Sequence, residues 1–334
     1  MNEDSPLVNA QKRLIDAIPF RHMTAEPCAL SQAVGRVLYE DVLCAMDSPP
    51  YHRAIAEGFV VNTADTAAAS EEAPVTFAIA GEVKPGDEAC PPINNGQGLR
   101  VATGSLLPDG AVSVVRMWDC TLGEGNFTIT RPFAPRFFVE DKGCDIKQGD
   151  VLLSAGATLT PMDLGLAAAQ GLSELSVARR PKVAVFSSGD EVIPHTEPLR
   201  PGAIRDSNSV MLAAAVLQAG GIAEFYGIMR DDFDHFLAEA GRAVKHADML
   251  LISGGTAVGG TDFIADLVRA LGELIVDGVP MRSGKPLIMG IARDKPIICV
   301  AGHPPEALRG FRLFGSAALN RLLGRQAGVP EDIQ

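Results

Sequence analysis

The chain has 334 residues, of which 47% are hydrophobic and 21% are charged, as expected of a globular protein with two or three domains. Its formal net charge of −12 argues against a general nucleic-acid binder and against binding to an anionic membrane surface. Six scattered cysteines without a C-x-x-C pair, the lack of a long apolar run and a polar N-terminus predict a cytoplasmic enzyme or binding protein.

The first fifty residues predict two helical segments. Ser5 and Pro6 supply a cap and a first-turn proline for a helix over residues 5–18, whose apolar residues fall on one face. Residues 30–43 predict a second, short helix that passes into a strand. Residues 47–50, Asp-Ser-Pro-Pro, break this pattern and predict the exit from a first domain.

After residue 50 the chain alternates short strands with turns rich in glycine and proline, which predicts a small β-rich domain over residues 51–139. Thr160 and Pro161 then open a helix that Gly171 closes. We expect the β-rich domain to be inserted into a discontinuous N-terminal or linker domain of residues 1–50 and 140–180. The predicted strands of the insertion are 58–61, 75–80, 99–102, 112–118 and 127–129.

Residues 181–324 repeat the order strand, loop, helix, which predicts a three-layer α/β domain with right-handed crossovers and leaves residues 325–334 as a tail. If the sheet is parallel, the loops that follow its strands meet at one edge, where open α/β sheets bind ligands. The predicted strands are 183–186, 223–228, 249–252, 274–275, 287–289 and 297–300, and the predicted helices are 207–217, 233–244, 263–271 and 305–323.

The most informative of these loops is the run Ser-Gly-Gly-Thr-Ala-Val-Gly-Gly-Thr-Asp over residues 253–262, between a buried strand and an amphipathic helix. Glycines there let backbone N–H groups approach an anion, and the helix dipole favours negative charge at the same place. The alternative is that the glycines only shape the turn, while Thr261 or Asp262 only caps the helix.

Charged residues in the strand-end loops suit a phosphorylated substrate and a metal ion. Glu191, Asp231 and Asp262 offer the carboxylate oxygens that Mg²⁺ prefers. Arg282 and Lys285 can hold phosphate or oxyanion charge. Each residue alone also has a plainer explanation, such as a helix cap for Asp231 or a solvated charge for Glu191. The prediction therefore depends on the convergence of the loops.

Common nucleotide and hydrolase motifs are absent from the sequence. G-x-x-x-x-G-K-[ST], G-x-G-x-x-G after a first strand and G-x-S-x-G do not occur, and no His/Cys cluster has zinc spacing. The sequence therefore supports neither a P-loop NTPase nor a dinucleotide-binding fold.

A family resemblance emerges when the motifs are taken in order. Residues 253–262 resemble the S-G-G-x-S-x-G-x-x-D motif of the MoeA/gephyrin E-domain family, the molybdenum insertases of molybdenum-cofactor synthesis. The resemblance covers nearly the whole chain, whereas the first motif alone also recurs in molybdopterin adenylyltransferases and CinA-like proteins. The further matching segments are 103–111 (T-G-A-P-x-P-x-G-A), 142–146 (R-G-E-D-I), 186–191 (F-S-T-G-D-E-L), 205–208 (Y-D-x-N), 230–232 (R-D-D) and 284–286 (G-K-P).

The resemblance implies a fold and an activity. The fold would be a three-layer MoeA/MogA-like α/β domain plus a linker domain with an inserted small β-rich domain, in an elongated homodimer. The activity would take adenylylated molybdopterin, Mg²⁺ and molybdate or tungstate, and would release AMP and molybdenum cofactor. A molybdopterin adenylyltransferase or a molybdoenzyme would be the protein partner.

The resemblance also implies the site residues. Glu57, Asp145, Asp231, Asp262 and Lys285 would be catalytic. The metal would be held by Glu191 together with Asp231 and Asp262. The substrate would be bound by Thr103, Gly104, Ser188, Gly189, Ser253, Gly254, Gly255, Thr256, Arg282, Ser283, Gly284, Gly302, His303 and Pro304.

The chain departs from the family's pattern at several positions. His52 and Glu57 replace two aspartates, and a displacement of about 1 Å in an active site can cost ~100-fold in rate. Ala257 replaces the second serine of the S-G-G motif, His303 replaces an asparagine, and Glu306 adds an anion near the expected anion site. We also expect that the chain lacks the family's C-terminal β-domain.

Three functions are compatible with the sequence. The first is a molybdenum or tungsten insertase, which the retained carboxylates and Lys285 favour. The second is a non-catalytic paralogue that binds molybdopterin or its nucleotide as a carrier, sensor or maturation partner, which the altered segments 51–60 and 301–306 favour. The third is a CinA-like nucleotide pyrophosphatase, against which the inserted β-rich domain argues.

The insertase hypothesis makes a prediction for Asp262. Asp262→Asn should abolish metal-dependent turnover, because the amide cannot replace a carboxylate ligand, while the melting temperature stays within a few degrees. Wild-type turnover in this variant, or gross unfolding, would remove Asp262 from the site.

Overall fold

A computed structural model describes residues 5–19, 23–230, 232–254, 263–279 and 287–325. The chain divides into two compact units, one of residues 42–153 and one of residues 1–41 and 154–334. The finer division into an N-terminal or linker domain, an inserted domain and an α/β domain stays a prediction. Across the described ranges, no helix combines the length and the apolar character that crossing a membrane requires.

The first helix, α1 (Pro6–Ala17), begins where the sequence predicts, and it is followed by strand β1 (Ala25–Ala29). The short helix predicted within residues 30–43 is reduced to a single 3₁₀ turn, Leu30–Gln32, whereas the strand into which it was predicted to pass is present at Val42–Leu43. Beyond the 3₁₀ turn the chain is extended, and the N–H of Leu38 donates to the carbonyl oxygen of Ala157 over 2.9 Å. Pairing with a distant segment satisfies the backbone groups and so overrides the local helical pattern.

The unit of residues 42–153 is built from strands. The strands are β2 (Val42–Leu43), β3 (Arg53–Ala54), β4 (Gly58–Asn62), β5 (Val75–Val83), β6 (Gln97–Val101), β7 (Val112–Arg116), β8 (Thr121–Leu122), β9 (Asn126–Ile129), β10 (Val139–Glu140) and β11 (Val151–Leu153). Six of them form a sheet of the order β7-β4-β6-β5-β9-β8, in which only β5 and β6 pair in parallel. β3 pairs with β10, and β2 pairs with β11.

Stacked phenylalanines fill one side of this sheet. The ring centroid of Phe127 lies 4.1 Å from that of Phe59 and 5.3 Å from that of Phe77. A Cβ atom on Gly98 would lie 2.8 Å from the Phe127 ring, so this position of β6 has no room for a side chain. The aromatic core, together with the missing side chain beside it, fixes the register of the central strands.

The remaining unit continues from α2 (Pro161–Ala169), which begins with a reciprocal capping box between Thr160 and Asp163. The further elements are β12 (Glu174–Ala178), β13 (Lys182–Ser188), β14 (Val192–Ile193), β15 (Ile204–Arg205), α3 (Asn208–Gln218), β16 (Ile222–Met229), α4 (Phe233–His246), β17 (Met249–Ser253), α5 (Phe263–Leu271), β18 (Glu273–Asp277), β19 (Ile288–Ala292), β20 (Lys295–Val300), α6 (Pro304–Gly310) and α7 (Ser316–Leu323). Six of these strands form a sheet of the order β16-β13-β17-β20-β19-β18.

Two details of this unit differ from the sequence prediction. β16, β13, β17 and β20 are parallel, but β19 and β18 pair antiparallel at one edge. The predicted helix over residues 305–323 is interrupted by a π turn, Phe311–Gly315. A Cβ atom on Gly315 would lie 2.3 Å from the Phe311 side chain, which shows how tightly the turn is packed.

The sheet is covered by helices on both faces, which confirms the predicted α/β class. Residues of α1, α3, α6 and α7 share one buried cluster with the sheet, and residues of α4 and α5 share another. All five residues of β17 are buried, as the unbroken apolar run predicts. The core therefore lies on both sides of β17, and the carboxyl end of β17 lies at the edge of the sheet.

Truncating a side chain in the centre of β17 should destabilise the protein strongly. Leu251 is fully buried, so Leu251→Ala should cost about 2–5 kcal/mol through lost contacts and a residual cavity. Leu199→Ala is the matched control, because 59% of the Leu199 side chain surface is exposed. Thermal and denaturant unfolding would measure the stability of both variants. Equal free energies of unfolding for Leu251→Ala and Leu199→Ala would contradict the described core.

Candidate functional site

The carboxyl ends of three neighbouring parallel strands form the candidate site. In the register of the sheet, Ser187 of β13 is paired with Ser253 of β17, and Ser253 is paired with Val300 of β20. The predicted substrate-binding residues of this unit follow directly after these positions. The structure thus brings together Ser188, Gly189, Ser253, Gly254 and Gly302 at one edge of the sheet.

Backbone segments approach each other closely at this edge. Gly254 has a φ of +98°, and a Cβ atom there would lie 2.5 Å from the carbonyl oxygen of Ser188. A Cβ atom on Gly302 would lie 3.5 Å from the Cα of Gly254. The Gly254 N–H donates to the carbonyl oxygen of Val300 over 3.2 Å. Glycine is therefore required at position 254 both by conformation and by space.

Two buried polar residues connect the strand ends, and the sequence analysis did not place either in the site. Asp206 accepts hydrogen bonds from the Ser187 hydroxyl over 2.8 Å and from the Ser209 N–H over 3.0 Å. The Asn208 Nδ2 donates to Ser253 Oγ over 2.6 Å and to the carbonyl oxygen of Gly302 over 2.7 Å. The signal in the sequence was the 205–208 motif, noted only as part of the resemblance.

The Asn208 side chain has one unsatisfied atom. Its Oδ1 is buried and has no hydrogen-bond partner among the residues that the structure describes. A buried acceptor without a partner costs about 1–3 kcal/mol, so this atom is available to a donor group of a ligand.

The loop after β13 places a carboxylate beside the strand end. Gly189 has a φ of +140°, and a Cβ atom there would lie 2.8 Å from both carboxylate oxygens of Glu191. The predicted metal ligand Glu191 therefore lies against the backbone of the predicted substrate-binding residue Gly189. It can offer oxygen ligands to a hard cation such as Mg²⁺.

His303 and Pro304 lie at the start of α6. The His303 carbonyl oxygen accepts hydrogen bonds from the N–H groups of Glu306 and Ala307, whereas its exposed side chain makes no capping hydrogen bond. The backbone of this predicted substrate-binding segment is thus fixed, and the imidazole is exposed.

A cleft of about 570 Å³ adjoins Gly189 and follows the edge strand β16. It is within the size range of small-molecule sites. Phe225, of which 55% is exposed, lines it together with the charged residues Asp190, Glu197, Arg200 and Arg230. The cleft extends the candidate site along the sheet.

In the unit of residues 42–153, the predicted substrate-binding pair Thr103 and Gly104 lies beside the altered segment 51–60. The Gly104 N–H donates to the carbonyl oxygen of Ala54 over 2.8 Å, and the Tyr51 hydroxyl donates to the Gly104 carbonyl oxygen over 3.4 Å. Gly104 has a φ of +89°, and Thr103 is exposed next to it. These bonds hold the Thr103 loop against the segment that differs from the family.

Both altered residues of this segment have partners. The exposed Glu57 lies 3.3 Å from Arg100. The Nδ1 of His52 accepts a hydrogen bond from the Lys142 N–H over 3.1 Å and also contacts Arg136. Arg136 is ion-paired with Asp141, and this hydrogen bond is the main reason why the pKa of Asp141 is lowered. His52 is thus part of a charged network with Arg136, Asp141 and Lys142.

Asp145 belongs to a small group of possible metal ligands with Glu140 and Cys144, whose ligand atoms all lie within 4.8 Å of one another. Arg53 is ion-paired with Glu140. Desolvation, followed by the charges of Asp145 and Glu140, raises the pKa of the Cys144 thiol. A protonated thiol is a poor metal ligand, so the group offers carboxylate oxygens and suits a hard cation better than a soft one.

The remaining predicted residues lie outside the described part of the chain. They are Asp231, Gly255, Thr256, Asp262, Arg282, Ser283, Gly284 and Lys285.

Comparison with known proteins identifies the family. The family model described as the MoeA N-terminal region (domain I and II) matches residues 5–171, and the one described as a probable molybdopterin binding domain matches residues 184–321. The chain belongs to the MoeA family. It is 28% identical over 306 residues to a molybdopterin molybdenumtransferase of Staphylococcus epidermidis, covering 91% of this chain and 73% of that protein.

Solved structures support the same assignment. A molybdopterin biosynthesis MoeA protein from Pyrococcus horikoshii has a TM-score of 0.80 at 34% identity, over 95% of this chain and 80% of that chain. A second structure, from Pyrococcus horikoshii OT3, has a TM-score of 0.83 at 29% identity, over 96% of this chain and 80% of that chain. The described fold is therefore a MoeA-like α/β fold.

Two glycine substitutions should separate conformation from space at the strand edge. The backbone has a positive φ at positions 254 and 202, so the alanine of Gly254→Ala or Gly202→Ala must adopt a left-handed conformation, which costs about 1–2 kcal/mol. Only Gly254→Ala places a Cβ atom 2.5 Å from a backbone oxygen, whereas position 202 has open space. Gly254→Ala should therefore lower the melting temperature further, and equal shifts of the two variants would contradict the close approach.

Proposed function

We propose that the protein is a molybdopterin molybdenumtransferase that inserts molybdate or tungstate into adenylylated molybdopterin and releases AMP. The observation that carries the proposal is the clustering of Ser188, Gly189, Ser253, Gly254 and Gly302 at one strand edge of a MoeA-family chain. Relatives named molybdopterin molybdenumtransferase align with more than nine-tenths of the sequence. At this edge the chain retains Gly189, Ser253, Gly254 and Gly302 of the family pattern.

The chemistry of the edge suits a substrate with phosphate groups. Serine hydroxyls are donors for phosphate oxygens, and the glycines let the ligand come close to the backbone. Water-poor surroundings strengthen such bonds, and Ser188 and Ser253 are both buried. These residues would bind and orient the pyrophosphate of the substrate.

We propose Mg²⁺ as the metal, held by Glu191 with Asp231 and Asp262. The described member of this set, Glu191, has a carboxylate at the strand edge, which fits a hard cation with oxygen ligands. When bound, Mg²⁺ would neutralise charge on the phosphates. Asp145 and Glu57 are proposed catalytic residues of the other unit, and Lys285 would hold oxyanion charge.

A non-catalytic paralogue is the second candidate, because both altered positions of the segment 51–60 are engaged by neighbouring residues. The Glu57 carboxylate lies 3.3 Å from Arg100, and His52 is bound to Lys142 and Arg136. Such a protein would bind molybdopterin or its nucleotide as a carrier, sensor or maturation partner, with an adenylyltransferase or a molybdoenzyme as its protein partner.

AMP release distinguishes the two candidates. The purified protein should release AMP from adenylylated molybdopterin when Mg²⁺ and molybdate or tungstate are present, and the more effective oxyanion would name the metal. Tight binding of the substrate without AMP release would favour the carrier or sensor. Neither binding nor release would contradict both.

A single amide substitution tests the proposed role of Asp145. Asp145→Asn should reduce oxyanion-dependent AMP release at least ~100-fold, because an uncharged amide cannot neutralise or position a cation or a water as a carboxylate does. Asp145 is exposed, so the melting temperature should hardly change. Asp87→Asn is the control, since Asp87 is also an exposed loop carboxylate of the same unit. Equal rates in both variants would remove Asp145 from catalysis.

We also propose that the protein is a homodimer, with α3 and β16 in the interface. Val210 and Leu217 are one heptad apart on α3 and are 53% and 60% exposed. Ile222 and Phe225 of the edge strand β16 are 42% and 55% exposed. Exposed apolar side chains on a helix and on the edge strand beside it are typical of an interface with another copy.

Light scattering tests the dimer directly. The wild-type protein should have twice the mass of one chain, and Leu217→Lys should shift it toward the monomer because a charge cannot be buried unpaired in an apolar interface. Val34→Lys, another exposed apolar position, should leave the mass unchanged. A monomeric wild-type protein would exclude this proposal.

A further inference from the structure

Asn208 is the first residue of α3, and its amide contacts two strand-end loops at once. The amide nitrogen donates to Ser253 Oγ over 2.6 Å and to the carbonyl oxygen of Gly302 over 2.7 Å. A carbonyl oxygen can only accept hydrogen bonds, so the NH₂ group must be the end of the amide that faces Gly302. The orientation of the amide is therefore determined by its partners.

The fixed amide determines the direction of the Ser253 hydroxyl. An NH₂ group only donates, so Ser253 Oγ is the acceptor of this bond, and the Ser253 O–H must donate its own hydrogen bond to a different group. Ser253 is only 2% exposed, and the described ranges of the chain supply no acceptor for that proton. The hydroxyl is thus a buried donor at the edge where the phosphate groups are expected.

The neighbouring strand shows the opposite arrangement. The Ser187 hydroxyl donates to the Asp206 carboxylate over 2.8 Å, so its proton is used within the protein. Ser187 and Ser253 are paired across β13 and β17, yet one faces a carboxylate and the other faces an amide. The difference between Asp206 and Asn208 therefore decides which strand-end serine can donate to a ligand.

We propose that Asn208 is a positioning residue that makes Ser253 a hydrogen-bond donor to a tetrahedral oxyanion of the substrate. The oxyanion is either a phosphate of the nucleotide or molybdate, which have the same kind of acceptor oxygens. The identity of these ligands rests on the proposed function. An aspartate at position 208 would accept the Ser253 proton, so the donor would be lost, together with the hydrogen bond to the Gly302 carbonyl oxygen.

The test is a binding cycle with two probes. AMP and molybdate are titrated separately into the full-length wild-type protein, Asn208→Asp, Ser253→Ala and the double variant by isothermal titration calorimetry. Each single variant should weaken the binding of one probe by roughly 10- to 100-fold, because a hydrogen bond to an anion is lost. The probe that is affected identifies the oxyanion.

The double variant separates positioning from other effects. If Asn208 acts through the Ser253 hydroxyl, the double variant should bind no more weakly than Asn208→Asp alone. Independent, additive losses would show that the introduced carboxylate only repels the anion, and would overturn the proposal. Asn208→Leu, which adds no charge and offers no acceptor for the Ser253 proton, should weaken binding less than Asn208→Asp in the wild-type background and not at all in the Ser253→Ala background.

Thermal unfolding excludes a merely structural role. Thr63→Val removes one buried hydroxyl bond, the 2.6 Å contact with Ser113, and should lower the melting temperature without changing affinity. An Asn208→Asp protein that behaves in the same way would overturn the proposal. If all variants release AMP at the wild-type rate and bind AMP and molybdate with unchanged affinity, this inference is overturned and the proposed function is not. A wild-type protein that binds neither probe would overturn the proposed function and this inference together.

Discussion

The parallel register of β13, β17 and β20 is the constraint on which the candidate site depends. It places Ser187, Ser253 and Val300 in one row, so that the chain leaves the sheet at neighbouring points. The strands are buried on both faces, and only their ends can present polar groups to a ligand. A shift of register would separate Gly254 from Ser188 and would break both hydrogen bonds of Asn208. Packing in the core therefore determines the geometry of the chemistry.

Much of this edge could be predicted from the sequence, since short apolar runs followed by glycine mark buried strands and their ends. The segment 249–253 is the clearest case, because the apolar run and the buried strand coincide. The helix predicted within residues 30–43 does not extend beyond one turn, because the hydrogen-bond partners of this segment lie more than a hundred residues away and local periodicity contains no information about them. The antiparallel pairing of β19 with β20 was missed for the same reason, because pairing direction depends on the path of the connecting chain.

The polar residues of the site were only partly predictable. Glycines and serines in strand-end loops are visible as a pattern, and the structure brings them together. Asp206 and Asn208 lie ahead of and at the start of α3, where polar residues usually cap a helix. Their actual partners, Ser187, Ser253 and Gly302, belong to other segments, so only the folded chain shows that they connect the strand ends.

The altered segment 51–60 is held by contacts that the sequence alone did not show. His52 lies among Arg136, Asp141 and Lys142, so the exchange of an aspartate for a histidine is accommodated by charged neighbours. Glu57 likewise has Arg100 beside it. The segment is an organised part of its unit, which is compatible with catalysis by a divergent site and with binding alone.

Hydrogen–deuterium exchange with and without AMP tests most directly where the ligand binds. Backbone amides in residues 187–192, 253–254 and 301–303 should exchange more slowly when AMP is bound, because these segments form the edge of the sheet at which the ligand is proposed to bind. Unchanged exchange in all three segments, with protection confined to other parts of a protein that demonstrably binds AMP, would contradict the assignment of the ligand site to the carboxyl ends of β13, β17 and β20.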